Sequence, residues 1–111
     1  MPVSQQELHD AYSDLYDAIN QAYWVASTIE DKDRIHDMAE SVYDIISDLN
    51  AADIKSRNAD YTTLTKSVTA VNARLQLLQT DINSIIHKVD VATQVVNAAT
   101  KAMSLASQFL A

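Results

Sequence analysis

Between Leu64 and Leu110 one apolar row keeps step over the whole distance. It reads Leu64, Val68, Val71, Leu75, Leu78, Ile82, Ile85, Val89, Ala92, Val96, Ala99, Met103, Ala106, Leu110. The intervals alternate four and three, the spacing at which one side of an α-helix meets other helices. No glycine or proline interrupts it. A continuous helix of that span would be about 70 Å long, far longer than the usual helix of a small protein. The segment must either fold back on itself or be covered by other chains.

The first half of the chain repeats the pattern. Leu8, Tyr12, Leu15, Ile19, Ala22, Ala26 and Ile29 form one row, and Ile35, Met38, Val42, Ile45 and Leu49 another. The chain has no glycine and one proline, Pro2. Tight β-hairpins depend on positive-φ residues that glycine usually supplies. The pattern therefore predicts an all-α protein, one domain over residues 1–111, built as an antiparallel up-down helical bundle.

Helix boundaries follow from capping chemistry. Ser4-Gln5-Gln6-Glu7 has the spacing of a capping box, which predicts a first helix running to about Ala26–Thr28. Glu30-Asp31-Lys32-Asp33 reads as a turn leading into an acid-rich first turn, suited to the positive end of a helix dipole. The second helix has two possible stops. One uses Asn50 as a left-handed C′ residue with Asp53 capping the next helix. The other breaks at Asn58-Ala59-Asp60 with Asp60 as N-cap. In the long row, Lys88-Val89 is the candidate break, with Asp90 as N-cap of a fourth helix. Four helices of similar length are favoured over three with one long C-terminal helix, whose apolar row would outrun its neighbours.

Charge is unevenly distributed. Of a net charge of −7, residues 1–60 hold thirteen of the fifteen acids and four of the eight bases. An acidic first half repels nucleic acid and anionic membranes and admits a basic protein partner. The absence of cysteine removes disulfides and thiolate metal sites. Met1-Pro2-Val3-Ser4 leads straight into a polar segment without a secretory signal pattern. No window reads as membrane-spanning. The expected location is cytoplasmic, unless the protein is exported by a route that reads no cleaved signal.

The candidate site is an acidic row on the second helix: Asp33, Asp37, Glu40, Asp44 and Asp48. Like charges at these spacings share one side of a helix and repel by a few tenths of a kcal/mol per pair, roughly. Asp10, Asp14 and Asp17 form a shorter series on the first helix. Either series can be a solvated face; the second-helix row can also be a docking surface for a basic protein. Tyr16, Tyr23 and Trp24 are candidate anchors beside it, because Tyr and Trp concentrate at interface hot spots.

Enzymatic chemistry finds little support. Di-metal carboxylate bundles need paired Glu-x-x-His units, and Asp33-x-x-His36 is the one comparable pair; Gln6 and Ser84 precede His9 and His87 at that spacing. No glycine-rich phosphate loop or nucleophile elbow is present. No cofactor or metal is expected.

The second half carries mostly uncharged polar side chains on its outer faces, which can pack against other helices without burying charge. A broad late face of Val91, Val95, Ala98, Ala102, Leu105 and Phe109 adds a surface for self-association, so a homo-oligomer is expected. The leading expectation is a non-enzymatic protein-binding module of the adaptor, chaperone or immunity/inhibitor kind that docks a basic partner. The alternative is a secreted or self-assembling helical component, membrane-active through residues 91–110. A carboxylate-bridged metal enzyme is a remote third.

Overall fold

A computed structural model describes residues 3–50 and 53–110. Four helices account for nearly all of them: α1 Gln5–Val25, α2 Ile29–Leu49, α3 Asn58–Ile85 and α4 Val89–Phe109. Among the described residues there is no strand, only an isolated antiparallel bridge between Ala26 and Ile86. The four-helix form is the one adopted.

The start of α1 follows its local chemistry. The Glu7 N–H donates to Ser4 Oγ at 3.0 Å, and the Ser4 N–H donates to Glu7 Oε1 at 3.3 Å. Two N–H groups that the helix cannot pair internally are thus satisfied. The first turn comes earlier than expected. It occupies residues 26–28, and Thr28 caps α2 by accepting from the Asp31 N–H at 3.1 Å. Glu30 and Asp31 then lie in the first turn of α2, where the helix dipole favours them.

The α2–α3 connection combines halves of both expected alternatives. Helix α2 ends at Leu49 and α3 begins at Asn58, with a short 3-10 turn at Ile54–Ser56 between. Asn50 is right-handed (φ −77°), so it is not the left-handed residue. Asp53 is, at φ 35°. Nor does Asp60 cap α3; it lies inside the first turn and pairs with Arg57 at 2.7 Å.

The long row breaks at Ile86–Lys88, where the backbone becomes extended at Ile86 and Lys88. Asp90 falls inside the first turn of α4, and Lys88 holds the N-cap position with no side-chain cap. The break is fixed from across the molecule. Ser27 donates its N–H (3.1 Å) and its Oγ–H (3.0 Å) to the Ile85 carbonyl. A carbonyl left open by the end of α3 is thereby satisfied by the turn between α1 and α2.

Side-chain pairs fix the antiparallel order. Tyr16 meets Tyr43 and Tyr23 meets His36 between α1 and α2. Arg34 reaches Asp81 at 3.1 Å and Arg74 reaches Ser41 at 3.0 Å between α2 and α3. Gln79 Nε2 donates to the Val96 carbonyl (3.0 Å) and to Thr100 Oγ1 (2.9 Å) between α3 and α4. Helix α1 closes the ring by packing on both α2 and α4.

The core is one cluster drawn from all four helices. In α3 its members are the seven predicted row residues, Leu64 to Ile85. After the break the phase changes: Val89 is exposed, and Val91, Ala92, Val95, Ala99, Ala102, Ala106 and Phe109 turn inward. Small residues line the α1 and α4 faces. Ala11, Ala18 and Ala22 on α1 and Ala92, Ala99, Ala102 and Ala106 on α4 are buried, and these two helices approach closely. Helix α3 packs less closely on α2 and α4 than α1 does on its own two neighbours. The bundle measures 43 × 26 × 19 Å, its long axis matching the ~42 Å of a 28-residue helix.

Candidate functional site

The acidic row lies on the outer face of α2. Its inner face carries Ile35, Met38, Ala39, Val42, Ile45, Ile46 and Leu49. At about 100° per residue the carboxylates fall opposite them. Asp33, Asp37, Glu40 and Asp44 are exposed and Asp48 is half-buried. The acids of α1 do not extend this row. Asp14 and Asp17 line a different shallow groove, with Gln94 and Asn97 of α4. Asp10 lies near Lys101; hydrogen bonds from His9 and Gln6, with a lesser pull from Lys101, hold its carboxyl below the usual range.

On the side of the row facing α1, the structure joins the acidic and aromatic candidates. Tyr16, His36, Glu40, Tyr43 and Asp44 line one shallow groove of about 400 Å³ between α1 and α2. The Tyr16 and Tyr43 ring centroids are 5.8 Å apart with planes inclined at 48°, within the range of favourable aromatic pairs. His36 Nε2 lies 2.9 Å from Glu40 Oε1, one turn along α2. The Tyr23 ring sits 6.2 Å from His36 and continues the aromatic series toward the turn end. Lys32 covers Tyr23, with Nζ 4.8 Å from the ring centroid while donating to the Tyr23 carbonyl at 2.7 Å.

Trp24 leaves the groove. It stands edge-on to Tyr23 at 5.3 Å and is 77% exposed. With Ile29 and Val89 it belongs to the end of the bundle where the two short turns meet. Asp33, Asp37 and Asp48 also lie outside the groove lining. Conversely, Tyr43 and His36 are lining residues not singled out for this site from the sequence. The signal was present: His36, Glu40 and Tyr43 are spaced four and three, so they share a face.

Asp48 sits where the row nears α3. Burial, with Asp44 and Asp60 nearby, pushes its carboxyl up. The folded protein then holds this proton more tightly than the unfolded chain, so its ionisation opposes folding once pH rises past the ordinary carboxylate range. Asp48→Asn is expected to raise stability at neutral pH by a few tenths of a kcal/mol, roughly the scale of one relieved like-charge pair. The gain should vanish as pH falls below the carboxylate range; paired melts at neutral and acid pH measure it.

The face predicted for self-association is largely internal. Val91, Val95, Ala102 and Phe109 are buried in the chain's own core, and Ala98 and Leu105 are half-buried against it. Its breadth is explained within one chain, because α4 packs on both α1 and α3. Among the described residues, no group of three or more His, Asp or Glu side chains is placed to hold a metal ion. No described helix is long and apolar enough to cross a membrane.

What remains is a shallow, open groove lined by two paired tyrosine rings, His36 and the carboxylates Glu40 and Asp44. Its lining sets aromatic rings beside carboxylates. No family profile, curated protein or solved structure matches the chain.

Proposed function

We propose that this protein is a non-enzymatic protein-binding module whose α1–α2 face docks a basic segment of a partner protein. One observation carries the reading: Tyr16 and Tyr43 pair between helices beside Glu40 and Asp44. Aromatic anchors ringed by polar groups are the arrangement at which binding energy concentrates in protein interfaces. Asp33 and Asp37 share the outer face of α2 with Glu40 and Asp44, adding to a negative field that would steer a positive partner.

Lys32 covers Tyr23 at the turn end of this face, and among the described residues no cation lies over Tyr16 or Tyr43. Arg34 pairs with Asp81, Arg57 with Asp60, and Arg74 donates to Ser41. Lys55 lies over the Phe109 ring at the far end. Asp33, Asp37 and Asp44 have no ion-pair partner among the described residues.

Electrostatic complementarity acts mainly on association rate and is screened by salt. Replacing Asp37 and Asp44 by Asn and Glu40 by Gln should leave the helical fold intact. It should slow association with the natural partner roughly tenfold at low salt, and flatten the salt dependence. The partner is found by affinity capture, and rates are then compared at two salt concentrations. Equal rates with equal salt slopes would reduce the acidic row to a solvated face.

A further inference from the structure

We infer that the α1–α2 groove selects arginine over lysine in the segment it binds. The inference rests on the docking function just proposed and adds the identity of the recognised side chain.

The chain shows on itself how this seam treats a cation. Lys32 lies over Tyr23 at 4.8 Å and anchors its ammonium on the Tyr23 carbonyl. That position offers one backbone oxygen beside one ring, which suits a point charge. Two turns back along α1, the Tyr16–Tyr43 pair offers something different. Among the described residues no cation lies over either ring. The anionic groups beside the pair are carboxylates, Glu40 and Asp44, one helical turn apart on α2. Glu40 meets His36 through Oε1, which leaves Oε2, and Asp44 has both oxygens available.

A guanidinium suits this site better than an ammonium for three reasons. Its plane can lie on a tyrosine face while its N–H groups, which project in that plane, reach carboxylates at the rim. Its fork can bond two carboxylate oxygens together, whereas an ammonium acts as a single point. It is also less strongly hydrated. The groove is open, and Tyr43 is 55% exposed, so an ammonium would keep its water there and gain little from the ring. Charge alone would treat the two side chains alike; the paired rings supply the discrimination.

The test uses two peptides of equal length and charge, one alternating arginine with glycine, the other lysine with glycine. Binding to the full chain is measured by fluorescence anisotropy at low and at physiological salt. The arginine peptide should bind about fivefold more tightly, the scale of one cation–π contact at an exposed site. In Tyr43→Leu the preference should disappear, through loss of arginine affinity alone. If Tyr43→Leu does not fold by circular dichroism, the exposed Asp44→Asn serves instead and should weaken the arginine peptide more than the lysine peptide. Equal binding of both peptides, lost in the Asp37/Glu40/Asp44 variant, would overturn the arginine selection and leave the docking function standing. An arginine preference that survives Tyr43→Leu would overturn it too, since the preference would arise elsewhere. Failure of both peptides to bind at low salt would overturn both the selection and the docking function.

Discussion

Ala99→Leu should lower the stability of the folded protein by about 3 kcal/mol, the upper end of the usual cost of adding bulk to a packed core. Ala99 is wholly buried in α4 and lies within a run of buried alanines with Ala92, Ala102 and Ala106. Helix α1 meets α4 with Ala11, Ala18 and Ala22 among its buried residues. Close helix approach leaves no hole for a leucine, so the insertion must push two helices apart. For a domain of this size a loss of 3 kcal/mol corresponds to a fall in melting temperature on the order of 10 °C. The same change at Ala73 of α3, which is exposed, should shift stability by no more than about 0.5 kcal/mol in either direction. Thermal melts of the two variants beside the parent measure the contrast. Equal, small effects would mean that α1 and α4 are not held by alanine packing.

The largest pH effect is expected in alkali, through Tyr12. Its ring is wholly buried between the helices, and its hydroxyl donates to Asn72 Oδ1 at 2.9 Å across the bundle from α1 to α3. Burial pushes the phenol up from 10.0 to about 12, against a smaller lowering by the hydrogen bond with Asn72. The sign follows from proton counts. Below pH 10 both folded and unfolded chains keep this proton, and the contribution is constant. Between pH 10 and about 12 the unfolded chain releases it while the folded chain holds it. Stability then falls with pH at up to about 1.4 kcal/mol per unit. By pH 12 the loss reaches about 2 to 3 kcal/mol.

Tyr12→Phe isolates the effect of this phenol. At neutral pH it should be less stable than the parent by about 1 kcal/mol, for the lost hydrogen bond and the oxygen it leaves behind. Above pH 10 the gap should close and then reverse, because phenylalanine has nothing to ionise. Denaturant titrations at neutral pH, pH 10 and pH 11.5 would show the crossing; parallel curves throughout would contradict the burial of the phenol.

The rows of apolar residues made the helices legible. Each of the seven α3 positions from Leu64 to Ile85 is buried as the period requires, and the Ser4–Glu7 capping box is present. The connections were less legible because what decides them is distant in sequence. In a chain without glycine, Asn50, Asp53 and Asn58 are nearly equivalent candidates for a left-handed residue. The choice falls on Asp53 in a segment held by Gln5, whose amide donates to the Leu49 carbonyl (2.8 Å) and accepts from the Ile54 N–H (2.9 Å). Local propensity near residue 86 permits a continuous helix; Ser27, nearly sixty positions earlier, supplies the hydrogen bonds that end it.

The candidate site divides in the same way. The acidic row is a property of one helix and could be read from spacing. The Tyr16–Tyr43 pair depends on the register between two helices, which the sequence placed too loosely because the first turn was expected near Glu30 to Asp33 instead of at 26–28.

The two ends of the bundle also differ in how the molecule should answer a pull. Gln5, Leu49, Ile54 and Phe109 gather at one end, and the two short turns lie at the other. Both ends of the described chain therefore emerge side by side, from the outer ends of adjoining helices. A load applied there would not slide α1 along α4 against its whole row of contacts at once. It would open the seam one helical turn at a time, starting at Phe109 and passing next through Leu105 and Lys101 beside Glu7 and Asp10. Each step breaks only a few contacts, so the rupture force should be low, while the end holding Ser27 and Ile85 would be the last to part.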